Sequence, residues 1–358
     1  MNIKKSNKFF SSAIYQQLIP QDNFWKKVDE LINWKKLSQR ISKIYKNTNV
    51  GNSNWPPEMM LKILLIQRVY NASDRKMEEL CTQNIYVKYF LGLEIQEKSP
   101  DFTSICKFRN LVLKRSGISF YEELMTEIIV SLSDKGLKFT GTYAVDSTIT
   151  NADVNTWKDK ERVSEGKDKR DKDASWTAKS RPNKSNKDSS FKTTYYYGYK
   201  THLIGDIGNH MITGIIPQTA RHHDNNFIED LVRKVNKRQS VDKLTADAGY
   251  DDAFNINLFE GEMGITTAIR IRKNRSNQED IDNEGFWIAY KEDPKRQDLL
   301  RERGKIERFF ADMKRNHGLE RCKYVGLKKY EMQSYLSAIA YNLRIGIKQV
   351  FGLGLGLI

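Results

Sequence analysis

Three acidic residues stand where catalysis on a phosphodiester would need them. Asp146 lies inside an apolar run, Asp247 ends a short apolar one, and Glu307 sits on an amphipathic segment from Leu299 to Arg315. A carboxylate inside an apolar strand is costly unless it is paired or bound to a cation. Carboxylates gathered from separate elements hold hard cations, commonly Mg²⁺, with Mn²⁺ as the substitute, and phosphoryl transfer uses such a cluster. Around Glu307 the spacing is informative. At about 100° per residue, Leu299, Ile306, Phe309, Phe310 and Met313 form one apolar stripe, and Arg303, Glu307 and Lys314 fall along its margin. That placement makes Glu307 a half-sheltered carboxylate flanked by two cations. Ordinary i,i+4 pairing between Arg303 and Glu307 explains the same spacing.

The elements that must position these residues can be read along the chain. Residues 1–134 read as helical. Pro56-Pro57 opens one helix, Ser73 caps a second, and the 101–104 segment caps a third. Basic residues among them (Lys62, Arg68, Lys107, Arg109, Lys114) suit a DNA-binding or dimerisation domain, and a plain helical packing module suits them equally. After Gly136 the texture changes. Strands are expected over 137–149 (with Asp146), 195–204, 211–216, 243–247 (ending at Asp247) and 265–271, with a hairpin turn at 206–209 and a helix over 225–237. The class is therefore α/β: residues 135–349 form a catalytic domain, and 350–358 a short apolar tail. Residues 151–194, rich in Lys, Asp, Ser and Asn, are expected to be an exposed insertion that builds no core. Its lysines, interleaved with Trp157 and Trp176, also suit an arm that follows phosphates and stacks on bases. His222, His223 and Asp224 could ligate a metal, but the reading taken is a polar loop that caps the following helix.

Composition narrows the partners. Sixty Lys and Arg against 45 Asp and Glu give a net charge of +15, which points to a polyanion, nucleic acid first. Arg270, Arg272 and Lys273, with Arg303 and Lys314, are the candidate phosphate contacts. Three widely spaced cysteines give neither a disulfide framework nor a zinc site, and no signal peptide or membrane span is visible, so a cytoplasmic, nucleoid-associated protein is expected.

Several stretches resemble the DDE transposases of bacterial insertion sequences, in particular the insertion-sequence-five family. These are PPEMMLKILLIQRVYNASDRKMEEL with FLGL and SPDFTSICKFRN, then YAVDSTIT, YYYGYKTHLIGD, TADAGYDD and RERGKIERFFADMKR, in the family's order. The last carries the R-x3-E-x6-K core of the family signature, with Leu300 where the family has a tyrosine. The resemblance implies an RNase H-like mixed five-stranded sheet flanked by helices, behind an N-terminal all-helical domain. It carries the metal role onto Asp146, Asp247 and Glu307, with Arg303 and Lys314 beside them. The implied partner is double-stranded DNA, at terminal inverted repeats and at a target, bound by a homo-oligomer that is at least a dimer. Two other readings share the motifs: a catalytically silent relative that occupies the repeats as a regulator, and a host RNase H-like nuclease.

Overall fold

A computed structural model of the chain describes residues 11–43, 54–182, 191–272 and 284–353. The chain divides into two compact units. One comprises Met1–Leu137, Arg315–Gly318 and Tyr335–Ile358; the other comprises Lys138–Lys314 and Leu319–Ser334.

In the first unit, helices α1 (Ser11–Leu18), α2 (Phe24–Leu31), α3 (Trp34–Ser42), α4 (Pro57–Val69), α5 (Asp74–Gln83), α6 (Ile85–Leu91), α7 (Phe102–Ser116) and α8 (Ser119–Asp134) follow one another closely. Their starts follow from capping chemistry. Ser73 accepts a hydrogen bond from the Lys76 N–H, and Asp101 from that of Ser104. Pro57 occupies the first turn of α4, where its missing N–H costs nothing. Helix α4 is buried on nearly every side, while Lys107 and Lys114 of the basic set are exposed on α7. Lys62, Arg68 and Arg109 are interior residues. Lys62 pairs with Asp29 at 2.6 Å and Glu58 at 2.9 Å, and its ammonium lies over the Trp34 and Phe90 rings. Arg109 forks onto both oxygens of Asp74, each at 2.7 Å. Lys62 and Arg109 are thus each paired with an acid, as interior charges must be.

The second unit is built on a mixed sheet of β1 (Thr142–Asn151), β2 (Ser175–Pro182), β3 (Phe191–Asp206), β4 (Met211–Thr219), β5 (Lys243–Ala246) and β6 (Thr266–Ile269). Strand β1 is central, antiparallel to β3 and parallel to β5. Strand β4 is antiparallel to β3, and β6 is parallel to β5. The hairpin at 206–209 joins β3 to β4, and α10 (Ile228–Asn236) makes the crossover that the parallel β5 requires. The order β4-β3-β1-β5-β6 is the expected five-stranded RNase H-like arrangement. The sheet nevertheless has six strands, because β2 pairs with the first half of β3, Ser175 opposite Gly198 and Pro182 opposite Phe191.

That sixth strand overturns the reading of 151–194 as a segment that builds no core. Between β1 and β2 lies α9 (Thr156–Ser164), and Ala152, Val154, Ala174 and Asp171 are buried. Asp171 is fully buried; it accepts the Tyr199 hydroxyl at 2.8 Å, while its backbone carbonyl accepts that of Tyr197 at 2.8 Å. The composition of the segment is polar, but a few small apolar residues and one satisfied carboxylate suffice to seat it on β3.

Two faces cover the central strands. Tyr143, Val145 and Ile204 pack against Ile228, Leu231, Val232 and Val235 of α10, with Tyr250 and Phe259. On the other face, Tyr330 stacks on Tyr199 with ring centroids 4.6 Å apart, and its hydroxyl is 2.6 Å from Thr201 Oγ1. A Cβ at Gly205 would run into the Phe309 ring, so a glycine is needed for the helix that carries Phe309 to sit against the sheet. Two further helices, α11 (Ala253–Asn257) and α12 (Glu284–Glu292), precede α13 (Pro294–Glu302). A 3₁₀ turn, Arg303–Lys305, follows α13 and leads into α14 (Ile306–His317), and α15 (Leu327–Phe351) ends the described chain. The single helix expected from 299 to 315 is thus two, parted at the segment holding Gly304, a weak helix former. Its apolar stripe holds regardless: Leu299, Ile306, Phe309, Phe310 and Met313 are all buried.

Candidate active site

The register of the parallel pair brings the first two carboxylates together. Val145 of β1 lies opposite Ala246 of β5, so the next residues, Asp146 and Asp247, arrive side by side on neighbouring strands. Asp247 follows β5 directly and caps the 3₁₀ turn Ala248–Tyr250 by accepting the Gly249 N–H at 2.8 Å. Asp146 accepts the N–H of Ser147 at 2.7 Å on one oxygen, and Arg303 Nη1 at 3.3 Å on the other. Burial above all, with the charge of Asp247 adding to it, pushes the Asp146 carboxyl up to about 6, against the pull of the Ser147 N–H, Arg303 and Lys179.

Glu307 stands differently from the expectation of half shelter. Its side chain is 71% exposed, because the 3₁₀ turn resets the helix and places it in the first turn of α14. Arg303 spans the gap: one terminal nitrogen meets Asp146 at 3.3 Å and the other meets Glu307 at 3.9 Å. Among the described residues, no group of three acidic, histidine or cysteine side chains converges closely enough to hold a metal ion. The structure therefore brings Asp146 and Asp247 together and links Glu307 to them through Arg303, without closing the three into one coordination group. The paired carboxylates fit a hard divalent cation in donor type, and the cost of ionising Asp146, set first by burial and then by the charge of Asp247, is one that a cation would offset.

The candidate phosphate contacts separate into two kinds. Lys314 is half-buried; burial foremost lowers its pKa and Lys179 lowers it further, with Glu320 opposing. Lys179, on β2, also acts on Asp146, so the added strand brings a cation to the site that no motif marked. Arg270 is exposed. Arg272 is instead a brace: Nε donates to the Ala248 carbonyl at 2.8 Å and Nη2 to that of Gly249 at 3.2 Å. Its guanidinium holds the turn after Asp247. Lys273 lies outside the described residues.

Sequence reasoning also missed what surrounds Asp247. Tyr250 is fully buried, and its hydroxyl makes no hydrogen bond of good geometry. Burial first, then the charges of Asp224, Asp146 and Asp247, hold that phenol well above its ordinary value, so it stays protonated. Asp224 makes no capping bond; its carboxylate takes the Lys200 ammonium at 2.7 Å. The expected cap is absent because a buried lysine claims the acid. An aromatic-rich strand gives no sign of such a pairing. The buried His202 ring lies beside the same carboxylate, Nδ1 3.7 Å from it, and burial lowers its pKa to about 4.

Two family models match the chain. One, described as "Transposase domain (DUF772)", covers residues 13–111, and the other, "Transposase DDE domain", covers residues 138–343. The second spans more than half the chain, and the protein belongs to the DDE transposase family. It is accordingly a DNA transposase, an enzyme that cleaves and transfers DNA strands, from a family that generally uses divalent metal ions. A solved structure, the cryo-EM structure of a piggyBac transposase synaptic complex with hairpin DNA, is similar over 92% of this chain and 75% of that one, with 11% identity and a TM-score of 0.44. No helix among the described residues is long and apolar enough to cross a membrane.

Proposed function

We propose that this chain is the transposase of an insertion sequence of the insertion-sequence-five type. It binds the element's terminal inverted repeats, at least as a dimer, in the cytoplasm at the nucleoid, and cuts and transfers strands with Asp146, Asp247 and Glu307. The observation that carries this reading is Arg303, whose two terminal nitrogens meet the first and third carboxylates at 3.3 and 3.9 Å. A residue so placed spaces two acids and keeps N–H donors ready for a phosphate. Magnesium, or manganese in its place, held by the three carboxylates would activate the attacking hydroxyl and stabilise the leaving oxygen. Asp146 and Asp247 supply paired negative charge for it, Arg272 fixes the turn that aims Asp247, and Lys314, Lys179 and Arg270 draw the DNA backbone towards the acids.

The test is nicking of a labelled repeat-end duplex in Mg²⁺, with binding measured separately in Ca²⁺. Glu307→Gln keeps shape but removes a charge, and cleavage should fall by roughly three orders of magnitude or more while binding persists. Glu302→Gln, in which an exposed acid 3.3 Å from Lys305 is neutralised, should keep most activity. Near-normal cleavage by Glu307→Gln, or equal loss in both variants, removes the basis for assigning Glu307 to the site.

A further inference from the structure

Asp247 stands one residue beyond the last rung of its strand on both edges. Strand β5 pairs with β1 only as far as Ala246 opposite Val145, and with β6 only as far as Ala246 opposite Ile269. The ladder therefore delivers Asp247 beside Asp146 but does not fix the separation of the two carboxylates. Arg272 holds the turn Ala248–Tyr250 through two of its carbonyls. The loop that runs from β4 through Phe227 borders the same turn. A Cβ on Gly249 would stand 2.9 Å from Asp247 Oδ1 and 4.0 Å from Asp224 Oδ2, so both carboxylates adjoin that glycine.

This loop is tied at one side to β3. Lys200 and His202 lie opposite Ile149 and Ser147 of β1, on the sheet face away from Asp146. The Lys200 ammonium donates to Asp224 Oδ1 at 2.7 Å and to the His222 carbonyl at 3.1 Å. The fully buried His202 ring packs on Phe227, centroids 4.4 Å apart. A buried lysine in a sheet is tolerated only with such a partner, so the strand itself keeps Asp224 in place. On its other side the loop is tied to the segment after Asp247. Asn225 Nδ2 donates to Asp252 Oδ2 at 2.8 Å, and Asn225 Oδ1 accepts Asn255 Nδ2 at 2.9 Å. Asp252 in turn caps α11 by accepting the Phe254 N–H at 2.9 Å. Lys200, Asp224, Asn225 and Asp252 thus link β3, the strand paired with that of Asp146, to the far end of the turn that Asp247 begins.

We propose that Asp224, held by Lys200, and its neighbour Asn225 are positioning residues that set Asp247 against Asp146, and so set the affinity of the carboxylate pair for its divalent cation. The proposal rests on the reading of Asp146 and Asp247 as the acids that hold that cation. Both residues act through the turn and not on the reacting atoms. Partners that orient metal-binding side chains typically contribute about ten- to a hundredfold to metal affinity, because an acid left free to move must be ordered again when the ion binds.

The experiment titrates Mn²⁺ against the full chain bound to a repeat-end duplex already cut at its 3′ end, with free Mn²⁺ read by electron paramagnetic resonance. Nicking of the uncut duplex is followed over the same Mn²⁺ range. Asn225→Ala changes no charge, leaves the Lys200–Asp224 pair intact and cuts the ties to Asp252 and Asn255. It should weaken Mn²⁺ binding by about tenfold and raise the Mn²⁺ needed for half-maximal nicking to match. The rate at saturating Mn²⁺ should stay within about threefold of native, since the loss is one of binding. Asp224→Asn keeps the shape but removes a charge near the turn, and should weaken binding at least as far. A merely loosened fold lowers the amount of active protein and leaves both midpoints where they were. Native midpoints in Asn225→Ala therefore overturn the proposal, as does a lowered saturating rate with midpoints unmoved. A native complex that takes up no Mn²⁺ overturns instead the reading of Asp146 and Asp247 as cation-holding acids.

Discussion

Replacing Asp146 by asparagine sets the demands of chemistry against those of folding. In the fold this carboxyl titrates at about 6, against an ordinary 3.8. Each unit of difference is worth about 1.4 kcal/mol, so holding the group ionised costs the native state on the order of 3 kcal/mol. The sign follows from where the proton is held. The folded protein binds it more tightly than the unfolded chain, so stability declines as pH rises from 3.8 to about 6 and then levels off. Asparagine fills the same space and never ionises. Asp146→Asn should therefore be more stable than the native chain at neutral pH in chelated buffer. The gain should be below the full figure, about 1–2 kcal/mol, because the side chain is 20% exposed and Arg303 loses an acceptor. Urea denaturation across a pH series reads it directly. The advantage should disappear below the ordinary carboxyl range, and Mg²⁺ should shrink it, since a cation bound to the native site stabilises only the native chain. Cleavage by the same variant should be lost. An Asp146→Asn chain less stable than the native one at neutral pH, or an advantage that ignores pH, would refute the reasoning.

Two further substitutions test braces rather than reacting groups. Arg272→Ala frees the turn after Asp247 and should lower cleavage by about tenfold through misplacement of that acid. The salt dependence of DNA binding should stay unchanged for it, whereas Arg270→Ala should reduce the slope by about 0.9, the signature of a lost phosphate contact. Arg109→Ala strands Asp74 at a largely buried pair and should destabilise the helical unit by about 3 kcal/mol, measured by urea or thermal unfolding. Burial alone would raise the Asp74 carboxyl, and the Arg109 and Gln67 hydrogen bonds more than reverse it. The contribution of the pair is thus present above the ordinary carboxyl value and fades as pH falls through the depressed one, so acid should erase most of the difference between the two chains.

What could be read from the residues, and what could not, divides along the range of the interactions. Asp146 was visible because an acid inside an apolar strand has few explanations, and Asp247 because a short apolar run ended on it before a glycine turn. Capping by Ser73 and Asp101 is local and was equally plain. Strand β2 was not, since Ser175–Pro182 is polar and becomes a strand only because the exposed half of β3 offers it partners. The interior placement of Lys62 and Arg109 depends on Asp29 and Asp74, acids on other helices, which no periodicity reveals. The same holds for Asp224, claimed by Lys200 from a neighbouring strand. Glu307 fell between these cases: its pairing with Arg303 follows from the i,i+4 spacing, but a turn of three residues altered its exposure.

Strand β3 has a consequence for how such a chain can be re-engineered. It runs for 16 residues, of which Gly198–Asp206 pair with β1 and Phe191–Gly198 pair with β2. The two registers meet at Gly198, where a Cβ would strike the Thr150 carbonyl oxygen, so the junction tolerates no side chain. On one side of that point every rung belongs to the catalytic sheet; on the other, every rung belongs to the added piece. The segment is thus spliced onto the sheet end to end rather than woven into it. Exchanging α9 and β2 for those of another transposase, with the graft closed at Gly198, should leave every rung beneath the carboxylates in register.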